Sequence, residues 1–97
     1  MTVKVIYMGP GFMDGYNVYE TFSSDSSGTI KGKLSDLNGR KFLYWDMDGV
    51  KVNAGARVVW EKPANNGGDV IYLPDFAWDD GEGPTVFLRA EFEPISY

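Results

Sequence analysis

Ninety-seven residues with neither histidine nor cysteine exclude Ser-His-Asp and Cys-His catalysis, structural zinc, disulfides and thiol redox chemistry. Hydrophobic residues at 43% and aromatics at 15% exclude the apolar-poor composition of a disordered chain, and the length fits one domain. A net charge of −5 with no basic patch argues against nucleic acid and anionic membrane as partners, and leaves protein as the expected one.

The chain opens on Met1-Thr2-Val3-Lys4-Val5-Ile6-Tyr7, which alternates like a strand and lacks the basic and apolar regions of a signal peptide. No apolar run approaches the roughly 18–20 residues of a membrane span. The expectation is cytoplasmic synthesis of a soluble chain beginning at Met1, with no cysteine to suggest an oxidising compartment. Gly9-Pro10-Gly11-Phe12-Met13-Asp14-Gly15 follows. It has the glycines of a tight loop but neither the Lys-Ser/Thr of a phosphate loop nor a helix pattern after it. Its apolar tip, Phe12 and Met13, is a candidate contact with a partner.

Period-two alternation broken by Gly, Asn-Gly, Asp-Gly and Pro predicts strands over 2–8, 16–23, 29–37, 40–47, 50–54, 56–62, 70–73 and 85–92. No window carries helical periodicity. The fold class is all-β: a small antiparallel β-sandwich or partly open barrel of seven to eight short strands.

The centre of the chain sets a register. Asn38-Gly39 and Asp48-Gly49 are the preferred pairs of type I′ turns. Counting back from them pairs Leu37 with Arg40, Leu34 with Leu43, Gly32 with Trp45 and Ile30 with Met47. Beyond the second turn, Met47 pairs with Val50 and Trp45 with Val52. The result is a three-stranded meander over 29–54. One face collects Ile30, Leu34, Leu43, Trp45, Met47, Val50 and Val52. The other sets Lys31, Asp46 and Lys51 in a row of alternating charge, each facing pair worth about 0.2–1 kcal/mol. Trp45 is expected to cover Gly32.

That register accounts for Asp46-Met47-Asp48-Gly49, which has half the look of a calcium loop. Position twelve is Arg57 rather than glutamate, so the two carboxylates belong to the charge row and the turn. Residues 63–69 read as a polar connection.

Acid concentrates in the last third: seven carboxylates against Arg89 alone between Asp69 and Glu93. Within the 74–84 loop, Asp75, Asp79, Asp80 and Glu82 surround Phe76 and Trp78. These are the residue types of an aromatic anchor ringed by charge, and tryptophan is enriched at interface hot spots. In the final strand Val86, Leu88, Ala90 and Phe92 face the core. Phe87 is an aromatic on the polar face, to be covered by a second sheet or a partner.

Catalysis without histidine or cysteine would fall to paired carboxylates in a sugar-sized groove, or to a Ser-Lys pair from 23–27 with Lys31 or Lys33. A chain of this size seldom builds that groove, and the meander leaves both lysines exposed. The expectation is no enzyme, no cofactor and no metal. The leading reading is a non-enzymatic structural or assembly subunit, such as a small decorating or joining protein of a phage or other virion, with self-assembly into a homo-oligomer or docking to another protein. Its candidate contacts are Phe12, Met13, Asp75, Phe76, Trp78, Asp79, Asp80, Glu82 and Phe87. One alternative is an acidic inhibitor or capture module bound to a basic protein surface. A weaker one is a carbohydrate-binding module stacking sugar on Trp60, Trp78 or a tyrosine.

Overall fold

A computed structural model describes residues 1–9, 18–79, 81 and 83–94. The first strand, β1 (Thr2–Met8), alternates as its sequence requires, with Val3, Val5 and Tyr7 buried and Lys4 exposed. β2 (Val18–Ser23) runs antiparallel to it, with Val3 opposite Phe22 and Ile6 opposite Tyr19. Then come β3 (Gly28–Thr29), β4 (Phe42–Met47), β5 (Val50–Val59) and β6 (Gly68–Tyr72). A 3-10 turn, Leu73–Phe76, leads into β7 (Trp78–Asp79) and β8 (Pro84–Phe92).

These strands form one sheet in the order β2-β1-β8-β4-β5-β3, with β6 added to β5 and β7 to β8. The sheet curls into an all-β barrel that is nearly closed, with one unsealed seam between the terminal strands β2 and β3. It is mixed rather than antiparallel, because β1 runs parallel to β8 and β5 parallel to β6. Trp45, Met47, Val52, Val58, Ile71, Leu73, Val86 and Leu88 fill the interior with Tyr7. Burying a large apolar side chain stabilises by about 1.5–3 kcal/mol, against about 0–1 kcal/mol for an exposed ion pair. The core therefore dominates over pairs such as Lys62–Asp75 at 3.6 Å.

The second hairpin has the register its turn dictates. Asp48 (φ 50°) and Gly49 (φ 88°) adopt the left-handed conformations of the turn. The Asp46 carboxylate accepts the Gly49 N–H at 3.0 Å. Trp45 pairs with Val52, Asp46 with Lys51 and Met47 with Val50.

The first hairpin forms only at its tip, where Leu37 and Arg40 exchange backbone hydrogen bonds of 2.9 Å across Asn38-Gly39. The pairs Leu34–Leu43, Gly32–Trp45 and Ile30–Met47 do not form, because β8 takes that edge of β4. It sets Trp45 opposite Ala90 and Asp46 opposite Arg89. β8 offers the core Val86, Leu88, Ala90 and Phe92, all buried. The 30–36 segment, with Gly32, Lys33, Ser35 and Asp36, has far less apolar area to bury. The three-stranded meander over 29–54 is thereby replaced by a two-stranded hairpin with β8 on its outer edge. The alternating charge row persists with a different cation, Arg89 in place of Lys31.

A bulge between Phe42 and Tyr44 corrects a second expectation. It turns Leu43 outward, 48% exposed, and brings Phe42 into the core beside Trp45, ring centres 5.2 Å apart. β5 runs unbroken through Gly55 (φ 75°), so the two strands expected over 50–62 are one. The 63–69 connection also has a structural task. Asn66 Oδ1 accepts the Tyr72 N–H at 2.9 Å, and Gly67 exchanges hydrogen bonds with Val70, supplying β6 with partners beyond those of β5.

At the seam, core side chains take over from the missing ladder. The Lys31 N–H donates to the Tyr7 hydroxyl at 3.0 Å. The Lys31 carbonyl accepts both the Gly55 N–H at 2.9 Å and Trp45 Nε1 at 3.2 Å. Trp45 thus meets the chain one residue from Gly32, through a carbonyl rather than by covering a glycine. Lys31 is half-buried here, its Nζ 3.9 Å from Glu20, rather than on an open face. Burial pushes the Tyr7 phenol well above its ordinary pKa. The Lys31 N–H opposes that shift, and the charge of Glu20 and a hydrogen bond to it reinforce it.

Tyr7→Phe leaves the Lys31 N–H without its acceptor and is expected to cost about 1–3 kcal/mol by urea denaturation at neutral pH. A phenol whose folded pKa lies above its unfolded value near 10 keeps its full contribution below about pH 10 and loses it above. Wild-type stability should therefore fall by about 1.4 kcal/mol per unit as pH rises past 10, with that component absent from Tyr7→Phe. Equal alkaline slopes in the two proteins would contradict the burial of this hydroxyl.

Candidate functional site

Two strands share one edge of β8, and the site lies in the interval between them. Thr85 is flanked by Lys4 of β1 on one side and Trp78 of β7 on the other. Arg89 is flanked by Met8 of β1 and, on the far side, Asp46 of β4. Between Thr85 and Arg89, neither β4 nor β7 pairs with that far edge. An open pocket of about 370 Å³ occupies the break.

Local sequence explains each wall. Leu73 is fully buried and anchors the 3-10 turn, which Pro74 starts and the Ala77 N–H closes on the Pro74 carbonyl at 3.4 Å. The turn holds Phe76 half-buried against the core and leaves Trp78, two residues on, 64% exposed. Phe87 projects from the outer face of β8, 39% exposed. These three aromatics line the pocket together with Met8. β4 contributes Asp46, the β4–β5 turn Asp48 and Gly49, and β8 Arg89. The aromatic surface continues beyond the pocket. Phe87 pairs with Ile6, and Ile6 with Tyr19, which is 58% exposed, so an apolar row crosses the outer faces of three strands.

Phe76, Trp78 and Phe87, separated in sequence, are thus brought to one place. The described strands make a single sheet, so the second sheet expected to cover Phe87 is not among them. Asp75 lies apart from the pocket. It accepts a hydrogen bond from Asn66 Nδ2 at 2.9 Å and sits 3.6 Å from Lys62 Nζ. Asp79 caps its own turn by accepting the Gly81 N–H at 3.0 Å. Phe12, Met13, Asp80 and Glu82 lie outside the described residues. Trp60 is half-buried against the core, its indole N–H enclosed and without a hydrogen-bond partner among the described residues.

Sequence reasoning missed Met8, Asp46, Asp48 and Arg89 as neighbours. Asp46 and Asp48 had complete explanations in the charge row and the turn. Only the β4–β8 register, which no local signal encodes, joins them to Arg89.

Chemically, the pocket pairs aromatic and thioether walls with two carboxylates and one guanidinium. Among the described residues, no three acidic side chains gather as a metal site, and no helix is long and apolar enough to cross a membrane. Comparison with protein-family models, curated protein sequences and solved structures finds no match to this chain.

Two tryptophans should behave oppositely on truncation. Trp45→Ala empties a fully enclosed site and is expected to cost about 3–5 kcal/mol. Trp78→Ala removes an exposed ring and should change stability by no more than about 0.5 kcal/mol. Paired chemical denaturation curves check this, and a large loss at Trp78 would make its ring part of the core rather than of a surface.

Proposed function

We propose that this protein is a non-enzymatic assembly subunit that docks to protein through the outer face of β2, β1, β8 and β7. One observation carries the reading: Trp78 and Phe87 are exposed and line the same pocket, and Phe87 continues a row through Ile6 to Tyr19, on a face where alternation normally places polar residues. Contiguous exposed apolar surface of this kind marks interaction sites, and tryptophan anchors are the side chains that dominate such contacts. A small decorating or joining subunit of a virion or similar particle fits a small β domain with an enclosed core and an exposed aromatic face.

A second reading, an acidic module that captures a basic protein, is favoured by Asp46 and Asp48 in the pocket lining. The two differ in their response to salt. Apolar self-assembly is expected to yield an oligomer whose mass by light scattering is the same at low and high salt and drops to that of the monomer in Trp78→Ala/Phe87→Ser. A wild-type protein monomeric in both conditions would overturn self-assembly and leave docking to a different protein, through the apolar row or as the acidic module. An oligomer unaffected by the double substitution would remove this face from the interface.

A further inference from the structure

We propose that the pocket between β7 and the β4–β5 turn receives a basic side chain, lysine or arginine, from the docked protein. The inference rests on the docking reading of this face and names what enters it. Three features of the lining converge on an alkyl chain ending in a cation. Trp78, Phe76 and Phe87 bring three π systems to one cavity, and aromatic faces attract ammonium and guanidinium groups within about 6 Å of their centres. Met8 and the same rings supply apolar surface for the methylene stem, which long basic side chains bury while keeping the charge at a polar end. Asp46 and Asp48 are the acidic residues of the lining, at the β4–β5 end of the cavity. Asp46 uses one oxygen, Oδ1, to hold the Gly49 N–H.

Charge decides against an anionic occupant. Arg89 is the one cation in the described lining, and Asp46 lies in register between it and Lys51, which stands outside the lining. An incoming anion would meet two carboxylates for that single guanidinium. A cation meets the reverse, on a chain of net charge −5. Arg89 then acts as a brake on the proposed ligand, which makes its removal diagnostic.

The site also tolerates a clean test of the carboxylate. Asp48 holds φ at 50°, a conformation asparagine adopts equally well, so Asp48→Asn removes the charge and keeps the turn. The probes are N-acetyl-lysine methylamide and N-acetyl-arginine methylamide. N-acetyl-norleucine methylamide matches the stem without the charge, and N-acetyl-glutamate methylamide reverses it.

Titrations followed by amide resonances of Gly49, Phe87 and Arg89 should show binding of the two basic probes and much weaker binding of norleucine. Asp48→Asn should weaken lysine binding about fivefold and Arg89→Gln strengthen it about threefold, as expected for partly screened charges a few ångströms apart. Trp78→Ala should abolish it. Equal binding of norleucine would overturn the cationic assignment and leave a purely apolar cavity. Binding of glutamate, lost in Arg89→Gln, would make this an anion site. No response to any probe would overturn the inference, and an oligomer lost in Trp78→Ala/Phe87→Ser would then assign the cavity to a second copy. In each of these cases the docking face survives while the basic-side-chain inference fails.

Discussion

The backbone of Lys31 is the point on which the barrel closes. A sheet rolled into a barrel ordinarily joins its last strand to its first by a ladder of backbone hydrogen bonds. Here β2 and β3 meet without one, and the N–H and C=O of a single residue are claimed from inside and alongside: by the Tyr7 hydroxyl, by the Trp45 indole and by Gly55. Tyrosine and tryptophan suit this task because each pairs a large apolar ring with one polar atom. Their rings, 5.0 Å apart, fill the core, while the polar atoms reach its wall. Seam and core are therefore one structure, and loosening either opens the other.

The insertion of β8 between β1 and β4 follows from the same demand to bury apolar surface. An inner face of Val86, Leu88, Ala90 and Phe92 displaces the local hairpin partner of β4, despite the lower entropic cost of closing a short loop. Local turn chemistry decides the tip of that hairpin and nothing beyond it. Once β8 sits centrally, its outer residues are committed to one surface. Phe87 falls into line with Ile6 and Tyr19, and Arg89 comes opposite Asp46. The break between β4 and β7 becomes the pocket.

The alternation of 2–8 and 85–92 was legible in the sequence because each strand buries one face and exposes the other. The Asp48-Gly49 hairpin was legible because its turn admits one register. Leu43 was misplaced because a bulge has no signature in a hydrophobic pattern, and Lys31 because Asn38-Gly39 promised a longer hairpin than the core permits. Trp78 and Phe87 stood out as aromatics in polar surroundings, and both are exposed. Their proximity did not, since it depends on β7, a two-residue strand too short to register as periodicity, lying along β8.

The most direct measurement is amide hydrogen exchange at Lys31, because its backbone donor sits at the seam and its partner among the described residues is a core phenol. Exchange reports local opening, and amides that open only with the core exchange slowest. Protection of the Lys31 amide comparable to that of Leu88 in central β8 is expected. Exchange as fast as at exposed Lys33 would mean that Tyr7 does not hold the seam and that the barrel is open along it.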